Sequence, residues 1–346
     1  MDVAASRNDF DSAPGREPWD GGAPRRAPVL LSPLALVEDV SSRDGRQGAS
    51  TAGFSPEFQI SLPYRGLFVF HVGKDDVVSD ANQVVFVTAG EPFRLTQPVP
   101  GGYGELIVTA RPELLAELVG TSAAGLRFHP LFRRRSRRAD ARMQLLRARL
   151  LHAGDARREP LAAEELLVAL LRSAIAEDSA PQPASAATRK LIHRAKEYVE
   201  AHATEPIRLG DVARAAGASP AYLTDVFRRC EGLPLHRYAV QLRLARALVE
   251  LPHTADLTGL ALDLGFSSHS HFTAAFHRAF GCTPSDFRAS TRPRGTPSPR
   301  ANRYTSTHSS DRAPAPRNLA PMRAKREPAS VTQKWCSASP SASLAS

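Results

Sequence analysis

From Phe58 to about Val108 the apolar residues come in short runs, FQISL, GLFVFHV, QVVFVTA, PFRLTQ and GELIVTA, separated by Gly, Pro, Asn and Asp. Runs of this length, rich in β-branched and aromatic residues and bounded by turn formers, predict the strands of a small sandwich or barrel. Pro92, Pro98 and Pro100 belong at strand starts or turns, where a missing amide costs no ladder bond. Past this region the apolar spacing lengthens to that of helices. Arg111 to Gly120 predicts a short helix. Two longer ones follow at about Arg138 to His152, with Met143, Leu146 and Leu150 in line, and Leu161 to Glu177, with Leu167, Leu171, Ala174 and Ile175. Their apolar stripes need a partner. Folding back on the barrel and pairing with a second copy would each supply one. A further helix runs from Thr188 to His202, its buried stripe Leu191, Ala195, Tyr198 and Val199, and another from about Pro234 to Leu251, with Tyr238, Leu242, Ala245 and Val249 inward.

The segments on either side of that last helix are one pattern written twice: LGDVARAAGASPAYLTDVFRRCEG from Leu209 and LTGLALDLGFSSHSHFTAAFHRAFG from Leu257. Each has a small residue four positions before a glycine, Ala213 before Gly217 and Ala261 before Gly265. In each, a serine and a second helical run follow, with an anchor four residues before a Phe: Leu223 with Phe227, and Phe272 with Phe276. That spacing puts both side chains on one helix face. Two helices crossing steeply need a small residue at the crossing and a glycine where the backbone turns with positive φ. Ser219 reads as an N-cap with Pro220 at the first helical position. Ser267 or Ser268 caps the later copy, whose turn is one residue longer.

These paired helix-turn-helix motifs, with RLARALVEL in the connecting helix and DLGFSSHSHFTAAFHRAFGCTPSDFR at the end, resemble the DNA-binding domain of the AraC family of bacterial transcription regulators. The resemblance implies an α+β multidomain chain: an N-terminal cupin-like β-barrel with trailing helices, and a C-terminal all-α, homeodomain-like double helix-turn-helix. The expected divisions are a disordered leader over residues 1–52, a cupin-like sensor or dimerisation domain over 53–178, a Pro/Ala/Ser linker over 179–187, the DNA-binding domain over 188–290 and a disordered basic tail over 291–346. The family's base-reading positions fall on Ala221, Thr224 and Asp225 in the earlier recognition helix and on His269, Ser270, Thr273 and Ala274 in the later one. Asp225 departs from the long basic or amide side chains frequent there; a carboxylate accepts from a cytosine amino group or orients Arg228 or Arg229. Arg228, Arg229 and Arg278 are phosphate-contact candidates. Arg243 and Arg246 either bond across the domain or meet phosphate. Double-stranded DNA is the implied partner, with RNA polymerase, a small-molecule effector and a second copy of the chain as further implied partners, and transcriptional activation is the family's usual mode.

The charge permits this reading without carrying it. Residues 1–187, 188–290 and 291–346 have net charges of −1, +3 and +8, so most of the +10 sits in the tail. There it would add sequence-independent, salt-sensitive attraction to DNA or simply solubility. Five arginines between Arg133 and Arg138 read as a solvated helix start or a binding patch. Cys230, Cys282 and Cys336 form no CxxC pair, which fits free thiols in a reducing cytoplasm. No apolar run approaches the roughly 20 residues a bilayer requires, so the expected location is cytoplasmic, with no membrane partner.

A cupin invites a metal-enzyme reading. The barrel segment holds one histidine, His71, and zinc or iron chemistry wants about three convergent ligands, so no metal or other cofactor is expected. His269 and His271 are spaced as a metal pair without an evident third ligand. A lined interior could still hold a small apolar or amphipathic ligand, with Phe68, Phe70, Phe86, Phe93 and Tyr103 as candidates and plain core as the alternative for each. The rival readings are a cupin-type metal enzyme or a methyl-accepting repair protein fused to a DNA-targeting module, and a DNA-bridging architectural protein with no effector. The enzyme readings lack GxxxxGK[ST], HExxH, GxSxG and GxGxxG.

Overall fold

The computed structural model describes residues 24–42, 50–153, 159–176 and 185–291. The start of the expected leader, most of the linker, the tail beyond Thr291 and Cys336 lie outside them.

Two antiparallel sheets face each other in the N-terminal half. One runs in the order β1-β2-β9-β4-β7-β10, with β1 Arg25–Leu31, β2 Ala35–Ser42, β4 Gln59–Arg65, β7 Gln83–Val87, β9 Tyr103–Ala110 and β10 Ser136–Arg138. The other runs β3-β8-β5-β6, with β3 Ser50–Phe54, β5 Phe68–Val72, β6 Asp75–Ser79 and β8 Pro92–Thr96. The two faces of β9 show the layering. Tyr103 and Ile107 pack with Val40 and Phe68 between the sheets, whereas Leu106, Val108 and Ala110 turn to the core shared with the helices. Pro63 sits beside a register shift of β4 against β9, and β7 has by then stopped pairing with β4, so its absent amide breaks no ladder bond.

The expected leader is corrected here. Residues 25–42 are a hairpin, and β2 pairs with β9 along its whole length, from Ala35 with Ala110 to Ser42 with Tyr103. A strand whose partner lies 61 to 75 positions away in the chain leaves little local signal, and the Gly, Pro and Arg around it masked the apolar core of VLLSPLALVEDV.

Helices α1 (Pro112–Val119), α2 (Pro130–Arg133), α3 (Ala141–Leu151) and α4 (Pro160–Ile175) follow the barrel. Met143, Leu150, Leu167, Leu171 and Ala174 are buried in the core that includes Val37, Leu106 and Val108, with Leu146 and Ile175 against it. Both stripes therefore fold back on the barrel, and the apolar surface that suggested pairing with a second copy is already covered. Two of the five arginines do not belong to a solvated helix start. Arg135 forms an ion pair with Glu91, and buried Arg137 donates to the carbonyls of Ser173 and Ala174 at the end of α4.

The C-terminal half comprises α5 (Ala186–Ala201), α6 (Leu209–Ala216), α7 (Pro220–Glu231), α8 (Leu235–Glu250), α9 (Leu257–Asp263), α10 (His269–Phe280) and α11 (Pro284–Thr291). Ser185 caps α5, which starts inside the expected linker. One core gathers Ala195, Val212, Leu223, Phe227, Tyr238 and Leu242. The other gathers Leu248, Ala261, Phe272, Phe276 and Phe287, and it includes Ala148 of α3. The helix α8 serves both. Among the described residues no helix is long and apolar enough to cross a membrane.

Candidate nucleic-acid interface

The two helix-turn-helix units are built from the same local parts. Gly217 (φ 72°) and Gly265 (φ 79°) take the left-handed conformation. In each unit the amide of the following residue returns to the carbonyl of the small residue: Ala218 to Ala213 and Phe266 to Ala261, both at 2.9 Å. Ser219 accepts from the Tyr222 amide at 3.3 Å, and Ser268 accepts from the His271 amide at 3.1 Å. Each serine satisfies an orphan donor and starts its recognition helix at a fixed angle.

Burial divides α7 into two faces and α10 nearly so. In α7, Leu223, Val226 and Phe227 are buried, and Ala221, Thr224, Asp225, Arg228 and Arg229 are exposed. In α10, Phe272, Ala275, Phe276 and Phe280 are buried; Ser270, Ala274, His277 and Arg278 are exposed, and His269 and Thr273 are half-buried. His269, Ser270, Thr273, Ala274, His277 and Arg278 line one open groove with Thr283. All the sequence-derived contact positions thus lie on the outward faces.

Their chemistry differs between the helices. The Thr224 hydroxyl donates to the Pro220 carbonyl at 2.8 Å, so its oxygen is left to act as an acceptor. Asp225 pairs with Arg229 at 2.9 Å one turn on, so it is Arg229 that the carboxylate orients. In α10, Thr273 Oγ1 and His269 Nε2 are 3.3 Å apart. His271 turns away to Ser267 Oγ at 3.1 Å and to the edge of Phe266, so the two histidines do not form a metal pair. No cluster of three or more metal-ligating side chains is found among the described residues. Arg243 bonds across the domain, reaching the carbonyls of Ala203 at 2.8 Å, Gly265 at 2.5 Å and Glu205 at 2.6 Å. Arg246 meets Glu200 at 2.5 Å.

In the barrel, the five aromatic candidates do not converge. Phe68 and Tyr103 contact each other between the sheets, Phe70 stacks on Phe93 in a neighbouring cluster, and Phe86 belongs to the helix-side core against Phe132. The polar interior was not foreseen. Glu105 is buried and accepts from the Ser61 hydroxyl. Burial raises its carboxyl to about 7, while the Ser61 bond and the Arg26 charge pull it down. A carboxyl held above its ordinary value favours the native state while protonated, so this contribution is complete below about 4.5 and is lost as pH rises through about 7. Glu105→Gln is expected to flatten the fall in melting temperature between about pH 5 and pH 8, measured by scanning calorimetry; an unchanged profile would show that Glu105 is not its source.

Residues 212–290 match a helix-turn-helix domain and residues 39–171 an AraC-like ligand binding domain. Regulatory protein SoxS of Salmonella typhimurium is 36% identical over 101 residues, 29% of this chain and 94% of that protein. The putative HTH-type transcriptional regulator YkgA of Escherichia coli is 32% identical over 101 residues, 29% of this chain and 42% of that protein. Among solved structures, an AraC-type transcriptional regulator from Chromobacterium violaceum is 30% identical, covering 32% of this chain and 100% of its own, with a TM-score of 0.30.

Proposed function

The chain belongs to the AraC family of transcription regulators and is a DNA-binding transcription factor, and on that premise we propose that it is an effector-responsive activator acting in the cytoplasm, reading two successive major-groove faces of one operator. The observation that carries this reading is the pair of capped recognition helices whose outward faces are exposed among the described residues and whose inner faces belong to two cores joined by one unbroken helix, α8. Its 16 residues span about 24 Å at 1.5 Å per residue, a stiff spacer for helices that must reach groove faces roughly 34 Å apart.

In this scheme Ala221, Thr224 and Asp225 meet bases in one half-site and His269, Ser270, Thr273 and Ala274 in the other, with Arg228, Arg229 and Arg278 on phosphates. Activation requires contact with RNA polymerase. The effector enters the barrel beside β6 and β8, where Ser79 Oγ and both polar atoms of the Gln97 amide are buried without a hydrogen-bond partner among the described residues. A homodimer would have to use surfaces other than the buried stripes of α3 and α4.

Selection from random duplexes with the full chain tests the reading and should return two conserved blocks about one helical turn apart. Recovery of unenriched sequence would end it. On the selected duplex, His269→Ala should weaken binding about fivefold or more while leaving random duplex nearly untouched. Arg278→Ala should weaken both alike and reduce the slope of log affinity against log salt by about 1. Equal losses on both duplexes for His269→Ala would remove its readout role.

A further inference from the structure

The turn between β6 and β7 is the polar centre of the contact between the barrel and the DNA-binding half. Asp80, Asn82 and Tyr238 are all 0% exposed. The Tyr238 hydroxyl donates to Asp80 Oδ2, and Asp80 Oδ1 accepts from the Asn82 amide at 2.8 Å. Asn82 Nδ2 donates to the Tyr238 carbonyl at 3.1 Å. Gln83 Nε2 donates to Glu231 Oε2 at 3.1 Å, and Lys196 Nζ meets Glu231 Oε1 at 2.7 Å. From the barrel side, Gln144 of α3 donates to Asn82 Oδ1 at 2.8 Å and to the Ala81 carbonyl at 3.1 Å, so the turn is itself held.

Two of these contacts end on the recognition helix α7. The Tyr238 ring, fixed by its hydroxyl, meets the Phe227 ring edge-on at 5.2 Å between centroids and 85° between planes. Phe227 is the inner anchor of α7, and Glu231 is its last residue. The helix is therefore gripped at its middle and its end by groups that trace back to four consecutive barrel residues. The core of α10 is formed by a different set of residues, in which this turn takes no part.

We propose that Asp80 and Gln83 are positioning residues for DNA reading: acting through Tyr238 and Glu231, they set the attitude of α7 in the groove and leave that of α10 untouched. Hydrogen bonds at low local dielectric suit this role because they tolerate little displacement, and the Tyr238 hydroxyl bond fixes the ring that packs edge-on against Phe227. The proposal rests on both recognition helices reading bases, and it adds that the β6–β7 turn controls one of the two half-sites.

The test is duplex selection with the full chain in four forms. Wild type supplies the two blocks, and His269→Ala identifies the block under α10 as the one that it alters. Tyr238→Phe keeps the ring and removes the hydroxyl. In the block under α7, penalties for single base changes should fall from about tenfold to within about threefold, with those under α10 unchanged. Asp80→Asn offers one acceptor oxygen to two donors, the Tyr238 hydroxyl and the Asn82 backbone amide, and should relax the α7 block as Tyr238→Phe does. If Tyr238→Phe does not unfold cooperatively, Gln83→Ala, at the edge of the network, takes its place with the same expectation. A loss of folded protein would lower binding to every duplex by one factor, so equal loss across both blocks overturns the proposal. So does an unchanged α7 block, or a wild-type selection with a single block under α10. A wild type that enriches nothing defeats the DNA-reading scheme itself, which is a separate outcome.

Discussion

Gly265→Ala is expected to destabilise the second helix-turn-helix by about 3 kcal/mol, against about 1 kcal/mol for Gly217→Ala, when the full chain is unfolded in urea. Both glycines are left-handed, so both substitutions carry the strain of an L side chain in that region. They differ in what a Cβ would meet. At Gly217 the nearest atom is the mobile end of Arg194, at an ordinary 3.5 Å. At Gly265 it would lie 2.7 Å from the Thr204 carbonyl oxygen and 2.9 Å from its carbon. That backbone has little room to move, because Arg243 ties the carbonyls of Ala203 and Glu205, on either side of Thr204, to the carbonyl of Gly265 itself. Relief would break those bonds or push α9 and α10 apart. Equal losses for the two variants would mean that the Thr204 segment yields freely.

Phe276→Ala should cost about 3–5 kcal/mol, the range for removing a fully buried ring. Phe276 is 0% exposed. Its centroid lies 5.7 Å from that of Phe272, 4.7 Å from Phe280 and 6.0 Å from Phe287, so three rings from α10 and α11 would face the void. These neighbours sit on α10 itself and on α11, and they cannot close a cavity of that size without moving the recognition helix. Binding to the selected duplex should fall with stability, the block under α10 being lost first. Leu262→Ala on the exposed side of α9 is the control, with a change within about 0.5 kcal/mol. A Phe276→Ala protein as stable as that control would place the core of this unit elsewhere.

The helical half was legible because its decisive interactions are short in sequence. Caps at Ser219 and Ser268, the left-handed glycines, and the pairs Leu223 with Phe227 and Phe272 with Phe276 all lie within a few residues of each other. The outward set follows once the inward set is known, since one helix has only two sides. The barrel was legible only in part. Strands β4, β5, β7, β8 and β9 carry dense apolar runs, while β1 and β2 are recognisable chiefly through their pairing with β9, and β10 is three arginine-rich residues that complete the edge beside β7. Arg137 illustrates the limit: in the sequence it is one arginine of five, and in the fold it is buried against the end of α4.

The sequence by itself determined that this chain carries a duplicated helix-turn-helix, where each copy turns, and which side chains each recognition helix turns outward, because those features depend on a window of about one helical turn. Only the tertiary structure decided that Gly265 is confined where Gly217 is free, that the stripes of α3 and α4 are spent on the barrel, and that Tyr238, already inward by its spacing, bonds to an aspartate 158 positions away. The reason is physical. Propensity and periodicity are properties of a segment, whereas desolvation, steric room and the partner of a buried polar atom are properties of whatever the rest of the chain brings beside it.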